Sequence, residues 1–159
     1  MTGKHFLNAN RRVFMGRSAT LLGAMVVPGI AGAALAYAVT LLGERVSVIN
    51  GVGSNVLVFQ ADDGLILVDS GAINATGSLQ EVVKSYGDEV RVKTLFNSHW
   101  HQDQVGGNAY FAGQGANIIA HEKTRLHLAT DYYLFEEDRY QPAMPAAAHP
   151  RNTFYTQGE

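Results

Sequence analysis

A short apolar run over residues 90–96 leads directly into Asn97-Ser98-His99-Trp100-His101-Gln102-Asp103-Gln104-Val105-Gly106-Gly107-Asn108. The run reads as a buried strand, so the polar stretch leaves a sheet at a strand end. Gly106 and Gly107 let the chain turn closely beneath that stretch and begin a helix. His99, His101 and Asp103 lie two residues apart, and an extended backbone would project all three to one side. Imidazoles and a carboxylate at the mouth of a strand are donors suited to zinc. The plainer alternative, surface histidines in a loop, does not account for the spacing or for its place after a strand.

The flanking pattern predicts an α/β domain. Residues 45–49 alternate polar with apolar, and 56–59 and 65–68 are short apolar runs separated by Gln60-Ala61-Asp62-Asp63-Gly64. The Asp-Gly pair there is a hairpin signal. Gly51-Val52-Gly53-Ser54-Asn55 superficially suggests a dinucleotide loop, but the third glycine is missing and no helix follows, so it reads as a tight turn. Residues 76–86 form an amphipathic helix with Leu79, Val82 and Val83 on one face, and Gly87 stands where a C-cap belongs. A short helix over 106–113, a strand over 116–120 and a helix over 121–130 complete the order β-β-β-α-β-α-β-α. Beyond Asp131 the periodicity fades, and the Ala/Pro-rich stretch 142–150 reads as a connection.

Residues 1–36 have a different character. They carry Lys4, Arg11, Arg12 and Arg17 and no acidic side chain, which leaves 8 basic and 14 acidic residues in the rest, a net charge of about −6. A domain that acidic has no electrostatic footprint for nucleic acid. Asn10-Arg11-Arg12-Val13-Phe14-Met15 resembles a twin-arginine export signal, and residues 18–43 contain no charge. Ala34-Leu35-Ala36 fits a small-x-small cleavage site that would release a chain beginning near Tyr37. An uncharged run of 26 residues is also long enough for an uncleaved membrane anchor. Gly23, Pro28, Gly29 and Gly32 weaken such a helix, so the expectation is a signal peptide over 1–36, a periplasmic domain over 37–159, and membrane contact only through the leader. The chain has no cysteine, which excludes disulfides, thiolate ligands and a thiol nucleophile.

The histidine stretch resembles the metallo-β-lactamase superfamily motif, His-x-His-x-Asp-His after a central strand. The resemblance extends over residues 44–130 and includes Val68-Asp69-Ser70-Gly71, whose aspartate matches a supporting carboxylate of the superfamily, and Ile119-Ala120-His121-Glu122. It implies the amino-terminal half of an αββα sandwich. His99 and His101 would bind a first zinc, and Asp103 would help bind a second or orient the nucleophile and its proton. Metal-activated water would then attack an ester, thioester, amide or lactam carbonyl of a small-molecule substrate.

Two departures qualify this. Gln104 stands where most of the superfamily has a second-zinc histidine, and an amide is a far weaker ligand, so a second site should be weak, differently built or absent. The family's remaining ligands lie in a second half, and none matches here; His149-Pro150-Arg151-Asn152 is not the expected turn. The chain is therefore expected to be a fragment of a metallohydrolase, with a truncated, noncatalytic metal-binding domain as the alternative. His121 and His127 read as capping or surface residues, and His5 falls in the leader. The Glu136-Glu137-Asp138 run reads as solvated surface charge. Trp100, Tyr132 and Tyr133 fit either a pocket lining or core packing.

Overall fold

The computed structural model describes residues 37–155. The expected leader, with Arg11, Arg12, the expected cleavage site and His5, lies outside the described residues. The described chain forms a seven-stranded mixed sheet with helices on one face, the α/β class expected from the pattern. The sheet runs β1 (Ala38–Leu41), β2 (Val46–Asn50), β3 (Val56–Ala61), β4 (Gly64–Val68), β5 (Val92–Asn97), β6 (Asn117–His121) and β9 (Asn152–Phe154), in that spatial order. The first four strands are antiparallel neighbours, whereas β4, β5, β6 and β9 run parallel. A separate hairpin pairs β7 (Tyr132–Leu134) with β8 (Arg139–Gln141).

The β3–β4 connection is the tight hairpin expected at the Asp-Gly pair, with Asp62 and Asp63 at its tip and Ala61 paired with Gly64. Parallel strands need a crossover, and helices supply it. α1 (Thr76–Ser85) links β4 to β5, while α2 (Gln102–Val105) and α3 (Asn108–Gly113) link β5 to β6. α4 (Glu122–Leu128) follows β6, and a short 3₁₀ turn over Ala146–Ala148 precedes β9.

The predicted face of α1 is the one that packs: Leu79, Val82 and Val83 are buried. They join Phe111 and Ala112 of α3 over the inward residues Ile49, Val56, Val58, Leu65, Leu67, Leu95 and Ile118. At the end of α1 the Tyr86 hydroxyl lies 2.6 Å from Ser47 Oγ, tying the helix to β2. Each such buried aliphatic side chain contributes roughly 1.5–3 kcal/mol relative to exposure. The opposite face of the sheet carries Val48, Leu57, Phe59, Ile66, Val68, Phe96 and Ile119, and there Phe59 and Phe96 remain 37% and 38% exposed. One side of the sheet is thus a finished core and the other is apolar but open.

Several elements depart from the pattern reading. β1 lies inside the uncharged run, where its apolar residues are indistinguishable from those of the leader. The helix expected over 106–113 begins at Asn108 as α3, and an additional short helix, α2, precedes Gly106 and Gly107. The stretch past Asp131, where periodicity fades, holds the β7–β8 hairpin and the edge strand β9. These strands have three residues each, too few for a period to register. Leu95→Ala is expected to destabilise the fold by about 2–5 kcal/mol, whereas Phe96→Ser on the open face should stay within about 1 kcal/mol of the parent. Urea denaturation of the two variants measures the contrast.

Candidate metal centre

The carboxyl ends of β4 and β5 come together because the strands are parallel neighbours. β4 delivers Asp69 and Ser70, and β5 delivers Asn97 and the histidine stretch. Beneath the stretch lies a buried polar knot. The Asn108 amide oxygen accepts from Ser70 Oγ at 2.9 Å and from Asn97 Nδ2 at 3.0 Å. Its nitrogen donates to Asn97 Oδ1 at 2.8 Å and to the Ala148 carbonyl at 2.9 Å. Two donors and two lone pairs are the whole capacity of a carboxamide, and all four are used. Ser70 Oγ also accepts from the Gly107 amide at 3.1 Å, and the Ser70 amide donates to the Gln104 carbonyl at 2.7 Å.

The two glycines allow this closeness. A Cβ on Gly106 would lie 2.1 Å from the Ile73 backbone nitrogen, and one on Gly107 would lie 2.7 Å from the Ser70 carbonyl oxygen. Both obstacles are backbone atoms, so no rotamer change relieves them.

Above the knot runs a chain of contacts to the histidines. Asp69 is buried in a left-handed conformation, with φ at 66°. Its carboxylate accepts from the Ser98 amide at 2.8 Å and from the Ser98 hydroxyl at 2.6 Å. Burial pushes the Asp69 carboxyl above the usual carboxylate range, the two Ser98 hydrogen bonds and the His99 charge pull it back, and Asp103 raises it. Ser98 Oγ lies 2.9 Å from His99 Nδ1, and His99 Nε2 lies 3.0 Å from His101 Nδ1. Ser98 has one proton and directs it to the carboxylate, so His99 Nδ1 carries the hydrogen and Nε2 presents a lone pair.

Of the three residues singled out by spacing, two meet. His99 and His101 pack edge to face with ring centroids 4.7 Å apart. Asp103 does not join them. The extended backbone ends at His101, which stands at the N-cap position of α2 with φ −62° and ψ 143° and no side-chain capping bond, and Asp103 lies in the first turn of that helix. The helical turn breaks the two-residue alternation on which the expectation rested. Its carboxylate is exposed, with Gln104 Nε2 at 3.5 Å. Among the described residues no group of three or more His, Asp or Glu converges as a metal cage.

The other histidines have separate roles. His121 accepts from the Lys123 amide at 3.1 Å and so caps α4, as expected. His149 Nε2 bonds the Met144 carbonyl at 2.9 Å. His127 is not simply a surface residue: its ring stacks on Trp100 at 4.6 Å. It also borders a depression of about 300 Å³ with Lys123, Leu126, Thr130 and Tyr132. Sequence reasoning missed Ser98, the link between Asp69 and His99, although a hydroxyl directly before the motif was the available signal. Replacing Asn108 with Leu should cost about 1–3 kcal/mol for each partner left unpaired, and Gly106→Ala should displace the loop at residues 72–73. Thermal denaturation and amide hydrogen exchange at Ala72 and Ile73 test both.

The metallo-β-lactamase superfamily profile matches residues 49–158. No curated protein matches the chain. A metallo-β-lactamase from Pontibacter korlensis is similar in structure, with TM-score 0.54 and 24% identity, over 76% of this chain and 53% of that one. A subclass B3 metallo-β-lactamase of Bradyrhizobium japonicum gives TM-score 0.56 and 25% identity, over 74% of this chain and 45% of that one. A metallo-β-lactamase of Cronobacter sakazakii gives TM-score 0.58 and 20% identity, over 74% of this chain and 46% of that one. That protein carries a His-Ala-Arg-Leu-Asp-Gln motif, whose His, Asp and Gln have the spacing of His99, Asp103 and Gln104. The chain spans about half the length of these solved relatives. With its profile match extending over more than half of its residues, the chain belongs to the metallo-β-lactamase superfamily.

Proposed function

We propose that the chain is the amino-terminal half of a zinc-dependent hydrolase acting on an ester, thioester, amide or lactam carbonyl. The single observation that carries this reading is the facing pair of nitrogens, His99 Nε2 and His101 Nδ1, 3.0 Å apart at the end of a central parallel strand. Two imidazole donors on a tetrahedral zinc, each at 2.0–2.1 Å, stand roughly 3.3 Å apart, so the pair fits two adjacent positions of such an ion. A catalytic zinc takes three protein ligands, and the third is proposed to come from outside the described residues, in keeping with a chain half as long as its relatives.

Bound between these rings, zinc would supply Lewis acidity and activate water at neutral pH. The chain's own residues prepare the site. Asp69, through Ser98, holds His99 in the Nδ1–H tautomer and keeps Nε2 free to coordinate. His101 must take the Nε2–H tautomer to offer Nδ1. Asp103, exposed at the start of α2, is assigned the role of orienting the attacking water or receiving its proton. It also remains a candidate ligand for a second ion. Gln104 makes that second position weak, and the motif of the Cronobacter metallo-β-lactamase likewise ends in Asp-Gln.

A second reading is a noncatalytic metal-binding domain, favoured by the absence of a third converging donor among the described residues. Zinc titration against a competing chromogenic chelator, with parallel hydrolysis assays on nitrophenyl acetate and nitrocefin, separates the two. The hydrolase reading expects stoichiometric zinc, a loss of affinity of at least a hundredfold in His99→Ala, and loss of turnover with binding retained in Asp103→Asn. Zinc binding without turnover of any carbonyl substrate supports the second reading.

Residues 1–36 are proposed as a twin-arginine signal that delivers the domain to the periplasm. Among the described residues no helix is long and apolar enough to cross a membrane. Replacing both Arg11 and Arg12 with Lys should retain the protein in the cytoplasm, and amino-terminal sequencing of the exported form should begin near Tyr37. A mature form that keeps residues 18–36 would identify an anchor instead.

A further inference from the structure

His99 and His101 are held by different means. His99 has Ser98 at its Nδ1 and, behind it, the Asp69 carboxylate. Among the described residues the hydrogen bonding of the His101 ring is confined to His99 itself, so no polar partner fixes the ring from behind. What lies against it is Trp100, the chain's single tryptophan, with ring centroids 4.5 Å apart and planes at 71°. The indole is in turn stacked on His127 at 4.6 Å and 16°, and meets Tyr132 edge-on at 4.8 Å and 83°. His127 and Tyr132 also face each other at 6.1 Å. Stacked and edge-to-face pairs at these separations are the favoured arrangements of aromatic rings.

This cluster has a firm base. α4 carries His127 and is capped by His121 at its start. Leu128, the next residue, is buried, and its carbonyl accepts from the Met144 amide at 2.8 Å. Tyr132 opens the β7–β8 hairpin immediately after the helix. The helix and hairpin therefore present two rings to an indole whose other aromatic neighbour among the described residues is His101. The four rings lie outside the apolar core beneath the sheet.

We infer that His127 and Tyr132 are positioning residues which, through Trp100, fix the ring of His101 and so the direction of its Nδ1. The inference rests on the reading of His101 as a zinc ligand. Ligating histidines are ordinarily oriented by a hydrogen bond to the second ring nitrogen. At His101 an aromatic buttress takes that place, and it couples the site to α4 and the hairpin rather than to the β4 loop that serves His99.

The test uses the metal-free full-length protein and assigned aromatic ¹H–¹³C resonances. His127→Ala is expected to move the His101 ring signals toward their unstructured positions and to leave those of His99 in place. His127→Phe, which keeps a flat ring and removes both nitrogens, should restore them. Tyr132→Leu should give an intermediate displacement. Unchanged His101 signals in His127→Ala overturn the inference, as does equal displacement of both histidines, which would indicate general loosening. In a second arm, zinc affinity should fall on the order of tenfold in His127→Ala and recover in His127→Phe. An equal fall in both variants would make His127 a donor and overturn the buttress. If the parent binds no zinc, the metal reading fails, while the ring signals still decide whether His127 positions His101.

Discussion

The carboxamide of Asn108 is the constraint on which the upper edge of this molecule depends. It is fully buried, and every hydrogen-bonding position it has is occupied, by a side chain after β4, a side chain at the end of β5 and a backbone carbonyl before β9. A buried amide is costly unless satisfied and specific once it is. Apolar packing could hold these three segments near one another, but it would not fix their register to a fraction of an ångström. The amide does, and Gly106 and Gly107 admit the close approach that makes its hydrogen bonds possible.

The histidine pair inherits its order from that arrangement. The knot sets where β4 and β5 release the chain, Asp69 reaches across in a left-handed conformation, and Ser98 passes the constraint to His99. A non-glycine residue at φ 66° costs of order 1–3 kcal/mol, a strain that persists only where the surroundings enforce it. Here the two hydrogen bonds from Ser98 do so. His101 is one step further out and draws its order from rings instead. The two imidazoles thus face each other from separate supports, one polar and one aromatic.

Much of this was legible in the residues. The hairpin at Asp62-Asp63-Gly64, the amphipathic face of α1 and the strand preceding the histidines follow from period and turn chemistry, signals local to the chain. The meeting of His99 and His101 at the strand end was legible from spacing. Asp103 was legible as a residue but not as a position, because alternation presumes extended backbone and the helix begins one residue earlier. The Trp100–His127 stack could not be read, since it joins residues 27 apart through packing alone. β7, β8 and β9 were too short to announce themselves. β1 was hidden by its resemblance to the leader.

The four parallel strands have a consequence for how such a protein can change over time. β4, β5, β6 and β9 all end at the same edge, releasing Asp69, Ser98, Glu122 and Tyr155 in turn. The inward residues of β4, β5 and β6 belong to a core that is indifferent to what the exposed loop positions beyond them carry. Substitution at the exposed positions of these loops therefore alters the side chains offered at that edge without disturbing the sheet, whereas Ser70, Gly106, Gly107 and Asn108 are bound to it. Chemistry and foldability are inherited almost separately, and a lineage built on this edge can try new ligands while keeping an old scaffold.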